Sequence, residues 1–187
     1  MKKINEGNNG DNHNNGYLGL HFRIDEQDWE THLINYFDKD DLSEEHGIEE
    51  KPHITVLFGF LPHITAADMK PHMTDKVITI DDIRISGMSL FENDKYDVVK
   101  LDIESEKLHR YNKYLKDNIE NECTFPDYQP HITLAYVKVG TGQKYIGQFS
   151  GIDLIAPLKA KLEGVEVYYT FSDPDKKETT FSIRCGA

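Results

Sequence analysis

The stretch Pro52-His53-Ile54-Thr55-Val56-Leu57-Phe58 returns later in the chain as Pro130-His131-Ile132-Thr133-Leu134-Ala135-Tyr136. Successive side chains of a β-strand point to opposite faces, so the His and the Thr of each copy share one face and the Ile points to the other. A proline is tolerated at the first residue of a strand, where its missing N–H costs little. The repeat predicts two strands that form one divided site, with these candidate catalytic residues: His53, Thr55, His131 and Thr133.

A third copy of the motif, Pro62-His63-Ile64-Thr65, has a different context. The residues after it, 66–69, favour a helix, and Thr65 with Asp68 three positions later is typical of a capping box. The third copy therefore predicts the start of a helix and is set aside as a site.

Alternation and helical spacing predict the remaining elements. The strand at 17–24 has Leu18, Leu20, Phe22 and Ile24 on one face; Tyr17, Gly19, His21 and Arg23 share the other, which is either solvent-exposed or lines a cleft. The next predicted element is a helix capped by Asp25 or Asp28, with Trp29, Leu33, Ile34 and Phe37 on its apolar side. It is followed by a hairpin of strands at 77–90 and 96–103 and a helix from Ser105 to about Asn121. Two strands, at 165–171 and 179–183, end the predicted order. This order is an α+β pattern, and because each motif strand follows a helix it suggests two similar halves.

Composition limits the classes of protein and of partner. The 187 residues include 33 acidic and 21 basic side chains, a net charge of -12, which disfavours long nucleic acid. No apolar run reaches the roughly 18 residues of a membrane span, so we expect a cytoplasmic protein without membrane contact. Cys123 and Cys185 lack metal-site spacing and are expected to be free thiols. Residues 1–16 read as a flexible tail and 17–187 as a single domain.

The paired motifs, 78 residues apart, resemble those of the 2H phosphoesterase superfamily. The resemblance extends from Tyr17 to Ile183. It implies a two-lobed, pseudo-symmetric fold in which antiparallel sheets form a concave cleft with helices on the outside. It also implies catalysis without a metal or other cofactor, and the sequence has no Cys cluster and no H-E-x-x-H motif.

Two histidines suit in-line displacement at phosphorus, which needs a base for the attacking oxygen and an acid for the leaving oxygen. With an ordinary pKa near 6.5, one imidazole can be neutral while the other is protonated. Thr55 and Thr133 would hold the non-bridging phosphate oxygens. The symmetric motifs leave open which histidine is the acid, and composition leaves open the oligomeric state.

Several substrates are implied by the resemblance, and the acidic surface favours a small nucleotide phosphodiester among them. One family branch consists of phage enzymes that degrade cyclic oligonucleotide immune signals (anti-CBASS), which would act in the host cytoplasm. Two alternatives are an RNA-end enzyme acting on 2′-5′ linkages or 2′,3′-cyclic phosphates, and a non-catalytic nucleotide-binding or sequestering protein. The candidate substrate-binding residues are Tyr17, His21, Arg23, Glu166 and Tyr168, where aromatic rings would stack a base and Arg23 would pair with a second phosphate.

Overall fold

The computed structural model describes residues 16–73, 78, 82–148, 166–172 and 179–185. The predicted tail, apart from Gly16, and the start of the strand predicted from Val77 lie outside these ranges. Within them the secondary structure consists of β1 (Gly16–Arg23), α1 (Glu26–Ile34), a 3-10 turn (Lys39–Asp41), β2 (His53–Phe60), α2 (Ala66–Met73), β3 (Arg84–Glu92), β4 (Asp97–Glu104), α3 (Glu106–Asn118), β5 (His131–Val137), α4 (Gly142–Gln148), β6 (Glu166–Ser172) and β7 (Thr179–Cys185).

The strands form two antiparallel sheets, in the order β2-β1-β6-β7 and β3-β4-β5. We call the first sheet with its helices lobe 1 and the second lobe 2. The two motif strands, β2 and β5, are edge strands of their sheets and contact each other. The predicted α+β architecture with two similar halves is confirmed, and it brings the two copies of the motif together at the centre of the molecule.

One apolar core lies behind both sheets. Leu18 and Leu20 are fully buried, as predicted for the inner face of β1, and Trp29 and Leu33 of α1 pack into the same core. Ile34, predicted to join them, is 39% exposed because α1 ends at this residue and the chain turns away. Among the described residues, no helix is long and apolar enough to cross a membrane.

Local side-chain bonds fix the starts of the helices. Asp25 caps α1 through a 2.9 Å bond from the Asp28 N–H, and Ser105 caps α3 through the Leu108 N–H at 3.2 Å. The third motif copy precedes α2 as predicted, because the Asp68 carboxylate accepts the Thr65 N–H at 2.9 Å. The sequence did not predict α4, a seven-residue helix whose Tyr145 packs into the core.

Each motif strand is bordered by a segment from the other half of the chain. Residues 41–49 run along the free edge of β5, where the Tyr136 N–H donates to the Gly47 carbonyl at 2.7 Å and the Glu49 N–H to that of Leu134 at 2.9 Å. The Glu122 N–H donates at 2.8 Å to the Gly59 carbonyl at the end of β2. This exchange covers much of the free edge of β5, holds the end of β2 and links the halves.

Candidate active site

The two motif histidines have the same backbone hydrogen bond. The His53 ring bonds through Nδ1 to the Lys51 carbonyl at 2.9 Å, and the His131 ring bonds through Nδ1 to the Gln129 carbonyl at 2.8 Å. A carbonyl oxygen only accepts, so Nδ1 carries the proton in each ring and a neutral ring keeps its lone pair on Nε2. Both rings are half-buried. The backbone hydrogen bond thus fixes each neutral histidine in the tautomer whose Nε2 can accept a proton.

Strand pairing fixes the position of each motif relative to its neighbouring strand. His53 lies opposite His21 of β1, and His131 lies opposite Asp102 of β4. In each case the proline before the histidine continues the pairing, since the Phe22 N–H donates to Pro52 at 3.3 Å and the Ile103 N–H to Pro130 at 3.0 Å. The two lobes therefore present the His and the Thr of each motif in matching geometry.

A β-bulge follows the threonine in both motif strands. Val56 is the extra residue of β2 between Thr55 and Leu57, and Leu134 is the extra residue of β5 at the equivalent position. A bulge reverses the alternation of side chains beyond it. It places Phe58 opposite Tyr17, on the same face as the histidines, and leaves Phe58 40% exposed.

Beside His53, lobe 1 presents neutral polar groups. The His21 ring stacks on the His53 ring with centroids 4.9 Å apart, and Tyr17 lies 6.2 Å from the same ring. Gly19 lies opposite Thr55, and a Cβ at Gly19 would come within 2.9 Å of His21 Nε2. Thr170 of β6 lies opposite Gly19. Within the described part of the chain, its hydroxyl and His21 Nε2 are buried without a hydrogen-bond partner.

Beside His131, lobe 2 presents a buried charge pair. Lys100 is 3% exposed, and its Nζ donates to Asp102 Oδ1 at 2.5 Å and to Ser89 Oγ at 2.7 Å. The Ser89 hydroxyl donates in turn to Asp102 Oδ1 at 2.7 Å. The Phe91 ring lies under Nζ at 4.3 Å and meets His131 edge-on at 4.9 Å between centroids.

Two histidines of the site have lowered pKa values. Burial lowers the pKa of His131 to about 4, with Lys100 and His53 acting in the same direction and the Gln129 carbonyl and Asp102 opposing them. Burial also lowers the pKa of His21 to about 4, assisted by His53 and Lys51. Both rings are neutral at pH 7. The contribution of His53 to the lowered pKa of His131 places the His53 ring within electrostatic reach of His131.

The structure brings some of the predicted substrate-binding residues together. Tyr17 and His21 lie beside His53, and the exposed Arg23 is farther along the same strand face. The backbones of Tyr168 and Glu166 pair with those of His21 and Arg23, which places both residues on the same face of the sheet. The side chains of Tyr168 and Glu166 lie outside the described part of the structure.

Sequence reasoning missed six residues of the site: Phe58, Ser89, Phe91, Lys100, Asp102 and Thr170. The alternation of Lys100 and Asp102 on a strand was a usable signal, because a charged residue on each second position marks one strand face. The sequence around Lys100 and Asp102 did not indicate that this face lies next to His131, because that depends on the pairing of β4 with β5. Across the described ranges, the side chains contain no group of three or more His, Cys, Asp or Glu arranged to hold a metal ion.

Two matched His-x-Thr pairs on contacting strands are typical of a phosphoesterase-type site. The chain belongs to the 2′-5′ RNA ligase superfamily, whose model matches residues 39–170, and thereby to the 2H phosphoesterases. Among solved structures, the chain is similar to Usb1 of Kluyveromyces marxianus, with a TM-score of 0.52 at 10% sequence identity, covering 93% of this chain and 98% of that one. No curated protein matches the chain. The structural likeness concerns the fold, which is that of the 2H phosphoesterases.

Proposed function

We propose that the protein is a metal-independent phosphodiesterase that cleaves a small nucleotide phosphodiester by two-histidine general acid/base catalysis. The observation that carries the proposal is the pair of matching Nδ1 to carbonyl bonds, which leave the lone pair of Nε2 available in both His53 and His131, on two strands that contact each other. One ring removes a proton from the attacking oxygen and the other protonates the leaving oxygen.

The threonines supply the other part of the mechanism. Thr55 and Thr133 share the strand face of their histidines, and their hydroxyls donate to the non-bridging phosphate oxygens as negative charge accumulates there. Thr133 is buried, 8% exposed, so its hydrogen bond to a phosphate would form away from bulk water.

A small substrate is supported by the charge of the chain. A net charge of -12 repels a long polyanion, whereas a small ligand needs only a few local donors. Phe58 and Tyr17 supply aromatic surface for a nucleobase beside His53. Within this class, the specific substrate that we propose to test first is a cyclic oligonucleotide immune signal. The chain would then act as a phage enzyme in the host cytoplasm.

A second candidate is an RNA-end enzyme acting on 2′-5′ linkages or 2′,3′-cyclic phosphates. The family to which the chain belongs favours it, since that family is described by its 2′-5′ RNA ligases. A third candidate, a nucleotide-sequestering protein, would return its ligand chemically unchanged.

One panel of incubations separates the three. Purified protein is mixed with 2′,3′-cyclic mononucleotides, 2′-5′ and 3′-5′ dinucleotides, cyclic di- and trinucleotides and a 2′-5′-ended oligoribonucleotide, and the products are identified by mass spectrometry. We expect turnover of a small diester that persists in EDTA and is lost in His53→Ala and in His131→Ala.

His63→Ala is the matched control, because His63 occupies the same Pro-His-Ile-Thr motif at the start of α2 and is exposed. Turnover confined to the oligoribonucleotide would favour the RNA-end enzyme. Full activity in His53→Ala or His131→Ala, or loss of activity in EDTA, would exclude the proposed mechanism.

A further inference from the structure

The residues that lie across from the two threonines differ between the lobes. In lobe 1 Gly19 lies opposite Thr55, and in lobe 2 Lys100 lies opposite Thr133. Both pairs lie two residues along the strand from the pair that contains the motif histidine, and next to the same kind of bulge. The fold therefore has two equivalent positions beside the catalytic cleft, of which one holds a glycine and the other a buried cation.

The third strand of each sheet completes the comparison. Ser89 of β3 lies opposite Lys100, as Thr170 of β6 lies opposite Gly19. In lobe 2 the Lys100 ammonium joins Ser89 and Asp102 in one hydrogen-bonded group. The equivalent lobe 1 groups, His21 and Thr170, each keep a buried polar atom that has no hydrogen-bond partner among the described residues. Among the described side chains, a buried cation at this position is found in lobe 2 and not in lobe 1.

A cation next to an imidazole disfavours its protonated form. The charged and titratable groups that face His131 are Lys100 and Asp102 from β4 and His53 from β2; β3 contributes Ser89 and Phe91, which do not titrate there. Asp102 Oδ1 accepts hydrogen bonds from Lys100 and Ser89. The His131 Nδ1–H donates to the Gln129 carbonyl. Lys100 lowers the pKa of His131 by more than Asp102 raises it.

His53 has different neighbours. Its ring faces the neutral His21 ring and Tyr17 from β1, with the neutral His131 ring on β5 within electrostatic reach, while the exposed Lys51 precedes it in the chain. No buried ammonium stands beside it among the described residues. The two motif histidines are therefore equivalent in backbone geometry and unequal in electrostatic surroundings.

We propose that Lys100 is a positioning residue that makes the two histidines unequal, so that His131 accepts the proton of the attacking hydroxyl and His53 protonates the leaving oxygen. This inference rests on the proposed function. With a ribonucleoside 3′-phosphodiester as substrate, the ribose 2′-hydroxyl gives its proton to His131 Nε2 as the O2′–P bond forms. The P–O5′ bond breaks as His53 Nε2–H gives its proton to O5′. The products are a 2′,3′-cyclic phosphate and an alcohol, and solvent restores the starting protonation states.

The first test uses no substrate. The protonation midpoints of His53 and His131 are measured by NMR titration of histidine-labelled protein, with signals assigned from His53→Gln and His131→Gln. We expect His131 to titrate at lower pH than His53. Lys100→Met is expected to raise the His131 midpoint by about one pH unit, while Lys100→Arg, which retains the cation, keeps it low.

Lys113→Met is the matched control, because Lys113 is an exposed lysine of α3 paired with Asp117. It is expected to leave both midpoints unchanged. Lys100→Met leaves Asp102 without its cation, so Lys100→Met/Asp102→Asn is measured as well, with a smaller upward shift expected for His131. Equal midpoints of His53 and His131 in the unmodified protein, or an unchanged His131 midpoint in both Lys100→Met variants, would overturn the inference.

The second test assigns the roles through the leaving group. A ribonucleoside 3′-(4-nitrophenyl phosphate) releases 4-nitrophenolate, which needs no proton, whereas a dinucleotide releases an alkoxide that does. We expect His53→Ala to lose on the order of 10²- to 10⁴-fold activity on a dinucleotide and less than about 10-fold on the nitrophenyl ester. His131→Ala is expected to be impaired on both. The reverse pattern would overturn the assignment, and absence of turnover by the unmodified protein on every compound would count against the proposed function while leaving the NMR result valid.

Discussion

The side chain of Asn112, in α3, donates a hydrogen bond of 2.7 Å to the backbone carbonyl of Val56, the extra residue of the bulge in β2. The equivalent carbonyl in β5, that of Leu134, accepts the Glu49 N–H at 2.9 Å. In both lobes the carbonyl of the extra residue accepts a hydrogen bond from a residue in the other half of the chain. The bulges therefore fix the motif threonines and join the two halves at the same points.

Asn112→Ala is expected to lower both stability and activity. Asn112 is buried, and its removal leaves the Val56 carbonyl without a partner, which costs about 1–3 kcal/mol of unfolding free energy. Urea denaturation and initial rates on the substrate found in the panel measure the two effects. The control is Asn118→Ala in the same helix, where the amide bonds to the Tyr114 carbonyl at the surface. An activity loss no greater than that of Asn118→Ala would show that the bulge does not need this support.

Thr55→Val and Thr133→Val are each expected to lower kcat by about 10²-fold. Valine retains the shape and the strand propensity but removes the hydroxyl that would bind the non-bridging oxygens. Steady-state kinetics on the panel substrate give kcat and KM separately. Thr65→Val, in the third motif copy, removes the hydroxyl that donates to Asp68 and accepts the Asp68 N–H, so it should weaken the cap of α2 by about 1 kcal/mol without changing kcat. Unchanged kcat in both active-site variants would remove the threonines from the mechanism.

Phe58→Ala is expected to raise KM about tenfold with little change in stability. The ring is 40% exposed on the histidine face beside Tyr17, and stacking on a base contributes roughly 1–3 kcal/mol. Phe58→Trp should keep KM low because it preserves an aromatic face. Val139→Ala, an exposed apolar residue in the turn before α4, serves as the surface control. If Phe58→Ala and Val139→Ala give the same KM, the base binds elsewhere.

The protein is expected to lose stability as the pH falls from about 6.5 to about 4. His21 and His131 have folded-state pKa values of about 4, below the unfolded value near 6.5. In that window the unfolded chain binds more protons than the folded one, so the free energy of unfolding decreases with decreasing pH. His21→Gln should reduce the difference between pH 7.5 and pH 5 by about 1–2 kcal/mol, since its ring is only half-buried. Urea unfolding of the unmodified protein and of His21→Gln at the two pH values measures this difference. An equal loss of unfolding free energy in the two proteins between pH 7.5 and pH 5 would contradict the prediction.

Much of the fold was predictable from local patterns. The alternation in β1, the caps Asp25 and Ser105 and the apolar stripe of α3 correspond to the structure, since each depends on neighbours within a few residues. The same holds for the third motif copy, where Thr65 and Asp68 form a local capping box. The seven-residue α4 escaped prediction because its sequence, with two glycines, is a weak helix former.

By itself, the sequence determined the candidate catalytic groups, which are two histidine and threonine pairs on apolar strands within an acidic chain. Only the tertiary structure decided which residues surround each pair. A bulge depends on pairing between distant strands, so strict alternation would bury Phe58, whereas the extra residue Val56 turns it to the histidine face. Likewise Lys100 became a neighbour of His131 only when β4 paired with β5. Identical motifs thus acquire unequal surroundings, because a residue's electrostatic environment depends on strand register and burial, which the local sequence does not specify.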